Sequence, residues 1–144
     1  GSKETTIFIT RANALFELKQ YQKAIPDFTK AIESGSSAAD VYYRRGMSRY
    51  YVQDAAGAFT DLDQAIKSGI RDALAFDIRG YGYASNKKYD EAIADYNQAI
   101  AIDGNLASAY FHRGDARYST SAWAQAVEDY NLAVKTGVKD AVLY

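Results

Sequence analysis

The chain has 144 residues, a formal net charge of −1, no cysteine and one histidine. That length suffices for a well-buried core, and the near-neutral charge gives no electrostatic grounds for nucleic acid or an anionic membrane surface as partner. The lack of cysteine removes disulfides, thiolate zinc sites and thiol nucleophiles together, and no apolar run approaches the ~20 residues of a membrane span.

Gly1-Ser2 reads as the scar of a removed tag, so residues 1–4 are taken as remnant and flank; no signal peptide follows, and localisation is left open. From Thr5 onward the chain repeats itself every 34 residues, in units 5–38, 39–72, 73–106 and 107–140, with no insertion. Self-similarity at such a period is the mark of a repeat architecture, expected here as one domain over 5–144. Each unit carries an aromatic at position 4 (Phe8, Tyr42, Phe76, Tyr110) and a small residue at position 8 (Ala12, Gly46, Gly80, Gly114). Alanines recur at positions 20 and 27, with a large residue between them at 24 (Phe28, Leu62, Tyr96, Tyr130) and a branched aliphatic at 28 (Ile32, Ile66, Ile100, Val134).

Positions 4, 8 and 11 share one face of a first helix, and positions 20, 24, 27 and 28 share one face of a second. Small residues at 8, 20 and 27 let the helix axes approach, and the bulky ones fill the space beside them. One unit cannot bury both faces, so stability must come from stacking neighbours. Pro26 falls near the start of a second helix, where a missing N–H is cheap. Ser34-Gly35, Ser68-Gly69, Asp103-Gly104 and Thr136-Gly137 are expected to stop the second helices through left-handed glycine caps. Ala141 and Tyr144 match positions 1 and 4 of a fifth unit, so 141–144 read as its start or as a capping helix. No polar cap is evident there, which suggests a fragment of a longer protein or an apolar end able to self-associate.

The aromatic, glycine, aromatic, alanine, aromatic, alanine pattern resembles the tetratricopeptide repeat, over essentially everything from Thr5. The resemblance implies an all-α fold: a right-handed α-solenoid of stacked antiparallel helix pairs. Two departures stand out. The family's proline near the repeat end is replaced in all four units by the glycine turns. Arginine fills position 7 throughout (Arg11, Arg45, Arg79, Arg113), where the family more often has an apolar residue. Aspartate fills position 23 throughout (Asp27, Asp61, Asp95, Asp129). The two types recur together, so an ion pair between neighbouring helices is favoured over an anion-binding ladder.

In the family the first helices line a concave groove. Carried onto this chain, the groove residues are Ile9, Asn13, Phe16, Tyr43, Arg44, Met47, Tyr50, Tyr51, Asp77, Ile78, Tyr81, Phe111, His112, Asp115 and Tyr118. Five of the 13 tyrosines (Tyr43, Tyr50, Tyr51, Tyr81, Tyr118) lie outside the packing pattern, all on first helices. Tyr, Met and Arg are enriched at binding hot spots. Chaperone adaptors of the family clamp a C-terminal carboxylate with lysines, asparagines and an arginine. At the corresponding positions this chain has Ile9, Asn13, Arg44, Leu74 and Ile78, of which only Asn13 matches. A peptide with hydrophobic anchors fits better, with Arg44 and His112 placed to read a carboxylate on it. His112 lacks a serine–acid pattern or metal-ligand spacing, and Gly80-x-Gly82 lies within a helix, not after a strand. The expectation is a non-enzymatic module without cofactor or metal that binds a protein or peptide partner, neither nucleic acid nor a membrane interior. The alternative is a scaffold unit that stacks through its ends.

Overall fold

The structure, a computed structural model, describes residues 3–137. Eight α-helices follow one another among these residues: α1 Lys3–Glu17, α2 Tyr21–Glu33, α3 Ala39–Tyr51, α4 Ala55–Lys67, α5 Ala73–Ser85, α6 Tyr89–Ile102, α7 Ala107–Ser119 and α8 Trp123–Thr136. Each 34-residue repeat supplies one helix pair, and the fold class is the expected all-α solenoid of helical hairpins. Ala141 and Tyr144 lie outside the described residues. The chain forms two compact units, one holding α1–α4 and the other α5–α8.

Within each hairpin the small residue at position 8 meets the large one at position 24. A Cβ on Gly46 would lie 2.9 Å from Leu62 Cγ, one on Gly80 2.7 Å from Tyr96 Cε1, and one on Gly114 2.8 Å from Tyr130 Cε1. No real Cβ tolerates such contacts, so glycine here is a packing requirement rather than a turn signal. Ala12 fills the same position in the first repeat, fully buried in one cluster with Phe28.

The arginines of position 7 and the aspartates of position 23 pair in all four repeats. Arg11–Asp27 closes at 2.6 Å, and Arg45–Asp61, Arg79–Asp95 and Arg113–Asp129 each at 2.7 Å. Each guanidinium also lies 5.7–5.9 Å from the ring at position 4 of its own repeat. Inside each unit position 7 also reaches back to position 25 of the preceding repeat: Arg45 Nη1 donates to Thr29 Oγ1 at 3.2 Å, and Arg113 Nη1 to Asn97 Oδ1 at 2.9 Å. Asp61 and Asp129 take a second arginine each, from Arg49 at 3.0 Å and Arg117 at 2.8 Å. The anion-ladder reading is therefore excluded, because these arginines are committed to carboxylates.

The turn inside every hairpin places position 15 in the left-handed region: Lys19 (φ 59°), Gln53 (φ 67°), Lys87 (φ 60°) and Ser121 (φ 63°). The next N–H then bonds the carbonyl five residues back, as Gln20 to Leu15 and Asp54 to Arg49, both at 2.8 Å; this closes the helix C-terminus in a Schellman turn. Between repeats, Gly35, Gly69 and Gly137 supply the expected left-handed caps (φ 99°, 107° and 102°). Gly104 does not. It stands one position later in its repeat, so the cap site falls on Asp103, which leaves α6 extended (φ −133°, ψ 95°). Its side chain accepts the Asn105 N–H at 3.0 Å. Pro26 is also placed differently from expectation. It is the sixth residue of α2, beyond the first turn, so Gln22 O loses its helical donor at an exposed site.

Candidate peptide-binding faces

In the first unit, the C-terminal ends of α1 and α3 and the start of α2 assemble an aromatic wall. The Phe16 edge meets Tyr21 at 5.4 Å, Tyr21 stacks on Tyr51 at 4.5 Å, and Tyr50 abuts Tyr51 at 5.3 Å. The Arg44 guanidinium lies 5.2 Å from the Phe16 centroid, donating to Glu17 at 3.0 Å and Asp40 at 3.1 Å. Arg44 is thus already neutralised by two carboxylates, which weakens its expected role as reader of a ligand carboxylate. Ile9 and Phe16 lean on the core, and Tyr43 is half-buried. Asn13 Oδ1 is buried with no hydrogen-bond partner. Beside the wall, an open depression is lined by Lys19, Gln20, Tyr21, Gln22, Lys23 and Val52.

Met47, expected in the groove, is only 3% exposed. α3 packs against both α1 and α2, so more of its circumference is covered than spacing alone indicates. Ser48 is buried beside it and donates to the Arg44 carbonyl at 2.7 Å.

In the second unit the surface is built on a buried carboxylate. Asp77, expected as a groove residue, is 2% exposed. Its Oδ2 accepts from Ser108 Oγ at 2.7 Å, and its Oδ1 lies 2.8 Å from His112 Nδ1. It therefore positions His112 rather than meeting a ligand itself, because α5 and α7 lie side by side and close over it. Ser108 and His112 share one carboxylate, so the serine is bonded to the acid and not to the imidazole. That is the wrong order for a nucleophile–base–acid relay.

Around His112 stand Tyr81 at 5.2 Å, Phe111 at 5.8 Å and Tyr96 at 5.9 Å. Phe111 also leans on Tyr130, whose hydroxyl donates to Asp115 Oδ1 at 2.6 Å. Burial, the Asp115 hydrogen bond and neighbouring carboxylates hold the Tyr130 phenol protonated well above its ordinary range. Tyr96 is shifted the same way, by burial first and then by Asp77 and Asp115; its hydroxyl is buried without a hydrogen-bond partner. Tyr118 meets Trp123 edge-on at 4.9 Å, and Ile78 is half-buried.

Of the off-pattern tyrosines, Tyr50, Tyr51, Tyr81 and Tyr118 are exposed. The sequence reading missed Tyr21, Trp123 and the two phenols of position 24. The signal for those phenols was the change at position 24 from Phe28 and Leu62 to Tyr96 and Tyr130. Asp77, Ser108 and His112 stand 31 and 35 residues apart, and become neighbours only when adjacent first helices are laid side by side. Among the described residues no group of three or more His, Asp or Glu has metal-binding proximity, and no helix is long and apolar enough to cross a membrane.

Residues 9–73 match the family model described as tetratricopeptide repeat, and residues 80–121 the one described as TPR repeat. No curated protein matches. Among solved structures, a crystal structure of MamA superposes with a TM-score of 0.73 at 22% identity, covering 92% of this chain and 77% of that one. MamA residues 41 to the end from Desulfovibrio magneticus RS-1 gives 0.72 at 19% identity, covering 92% and 75%. The first TPR of Spaghetti (RPAP3), bound to the HSP90 peptide SRMEEVD, gives 0.64 at 19%, covering 84% and 96%.

Proposed function

Because the chain belongs to the tetratricopeptide-repeat family, whose fold serves as a protein–protein interaction module, we propose that its first-helix faces bind a peptide segment of a partner protein. The observation that carries this reading is the exposure of Tyr50, Tyr51, Tyr81 and Tyr118 on first helices whose recurrent aromatics are buried (Phe76, Tyr110) or half-buried (Phe8, Tyr42). Rigid, amphipathic tyrosines are effective anchors, since they offer large contact area for little lost rotamer entropy. Each unit contributes such a face: Phe16, Tyr43, Arg44, Tyr50 and Tyr51 on one, and Tyr81, Phe111, His112, Asp115 and Tyr118 on the other. Ile9, Asn13 and Ile78 border them. The peptide-bound RPAP3 domain, a relative in fold, supports the mode of use. Its acidic HSP90 tail is a poor guide to the ligand, because Arg44 is already engaged by Glu17 and Asp40. A segment with aromatic or aliphatic anchors fits better. The module is read as non-enzymatic and cofactor-free, its only histidine being a positioning partner of Asp77.

The test is selection of peptides from a random library against the purified chain, followed by calorimetric affinities. Tyr50→Ala with Tyr51→Ala, or Tyr81→Ala with Tyr118→Ala, should weaken the selected peptide by more than about 1 kcal/mol. Equal affinity for all variants, with helix content unchanged, rejects the reading.

A further inference from the structure

The large residue at position 24 is apolar in the first unit, Phe28 and Leu62, and a tyrosine in the second, Tyr96 and Tyr130. Each tyrosine ring passes the glycine at position 8 of its own repeat, Gly80 or Gly114, and so carries its hydroxyl toward the first-helix face. Tyr130 marks where such a hydroxyl arrives, since it donates to Asp115 on α7 at 2.6 Å. The Tyr96 ring lies 5.9 Å from that of His112, and its hydroxyl is buried with no hydrogen-bond partner. A phenylalanine would fill the same space without an orphaned polar group. Packing therefore does not account for the oxygen.

The face above it is acidic. Asp77 and Asp115 stand there, and neither has a lysine or arginine partner among the described residues. Both lie close enough to Tyr96 to join burial in keeping its phenol protonated. The arginines of α5 and α7 are bound elsewhere, Arg79 to Asp95 and both Arg113 and Arg117 to Asp129. Because the Asp77 carboxylate only accepts, His112 Nδ1 carries the proton between them, and Nε2 of the neutral ring is a further acceptor. Phe111 stands one helical turn before Asp115, and Tyr81 lies 5.2 Å from His112, so aromatic rings flank the acceptors. The first unit holds the same chemistry with its cation in place: Arg44 lies 5.2 Å from the Phe16 ring, paired with Glu17 and Asp40.

We propose that the α5–α7 face reads a basic side chain of the bound peptide, arginine or lysine, with Asp115 as its counter-ion, Phe111 and Tyr81 as the aromatic walls and the Tyr96 oxygen as an acceptor at the floor. The inference rests on the peptide-binding reading above and adds the charge of one residue that enters beside the apolar anchors. A guanidinium or ammonium brings donors and no acceptor, which is what this set of groups lacks. Asp77, buried beneath the face, adds its attraction with little water to screen it. The Tyr96 hydroxyl, closed over in the free chain, gains its partner when the N–H groups of the cation enter. An acidic anchor would set like charges against Asp115, and an aliphatic one would leave the carboxylate unpaired.

The probes are octapeptides selected from a random library on the whole chain, each compared with a copy in which arginine is replaced by citrulline or lysine by acetyl-lysine. The ring signals of His112, the only histidine, identify the binders that occupy this face. Those binders should carry a basic residue whose neutral replacement weakens binding at least about tenfold. Asp115→Asn should remove most of that ratio between charged and neutral peptides. Tyr96→Phe should lower the ratio severalfold with no fall in thermal midpoint, which a merely structural role would not do. Helix content should stay unchanged in both. Binders that move the His112 signals yet hold no basic residue, or lose nothing on its neutralisation, overturn the proposal and leave peptide binding standing. Either variant that keeps the full ratio overturns it too. A library that yields no binder at this face also overturns the proposal, and one that yields none at all overturns the peptide-binding reading with it.

Discussion

A carboxylate with 1% of its surface exposed is tolerable only while its cations stay in place, and Asp61 and Asp129 each hold two arginines. Removing the acid leaves two poorly solvated guanidinium groups facing each other. Asp129→Ala should therefore destabilise the fold by about 3–5 kcal/mol, read as a lower urea midpoint with an unchanged slope. Asp27→Ala should cost far less, because Arg11 is largely in solvent. The two phenols of position 24 make a sharper pair. Tyr96→Phe deletes a buried hydroxyl that has no partner and should be neutral or stabilising by roughly 1 kcal/mol, whereas Tyr130→Phe breaks the bond to Asp115 and should cost about 1 kcal/mol. Thermal midpoints that move together in both variants would contradict this. The four Arg–Asp pairs were legible in the sequence because both members recur with the period. Arg49 and Arg117 were not, since position 11 holds them in only two repeats and spacing says nothing of a carboxylate's spare oxygen.

At the level of helices and turns, the period carries nearly all the information. Helix pairs, the small-against-large packing of positions 8 and 24, and three of four glycine caps follow from it directly. What it hides is conformation at residues that do not advertise it. Position 15 is left-handed in every hairpin yet holds Lys, Gln, Lys and Ser. A residue with a Cβ pays about 1–2 kcal/mol there, partly offset by the flexibility glycine would add to the unfolded chain. Gln53→Gly should thus stabilise the protein by roughly 0.5–1 kcal/mol, whereas Gly69→Ala, with open space around its Cβ but φ 107°, should destabilise it by a similar amount. Denaturant midpoints moving in the same direction for both would show that backbone strain is not the governing effect. Gly104 was misread for a reason of the same kind. A glycine next to a helix end caps it only when it stands at the residue that must turn left-handed.

For the molecule as a whole, stability is tied to the protonation of the phenols of Tyr96, which is buried, and Tyr130, which is half-buried. Tyr96 and Tyr130 are held neutral in the folded state above the ordinary tyrosine range near 10. A raised folded-state pKa means the contribution is fully present below pH 10 and is lost as pH climbs beyond it, because only the unfolded chain then gains by ionising. Alkaline titration should leave the helical signal intact up to about pH 10, after which the last tyrosinate absorbance and the loss of helix should appear together. All 13 tyrosines ionising in a fully helical protein before unfolding begins would contradict this. The fold class was readable at this scale, but the candidate faces were readable only in part. Spacing gives the direction in which a residue points, while the arc that neighbouring helices cover decides whether it reaches solvent. Met47 and Asp77 lie inside that arc, and Tyr81 and Tyr118 lie outside it.

The salt-bridged hairpins have one more property, which concerns time. Arginine and aspartate in each repeat are 16 residues apart, and the bonds to the next repeat span 16 to 35. These closures are short loops, the topology associated with folding in microseconds to milliseconds. A ribosome adds only about 5–20 residues per second. Each hairpin after the first has time to pack on its predecessor and lock its own ion pair before the following one has left the tunnel.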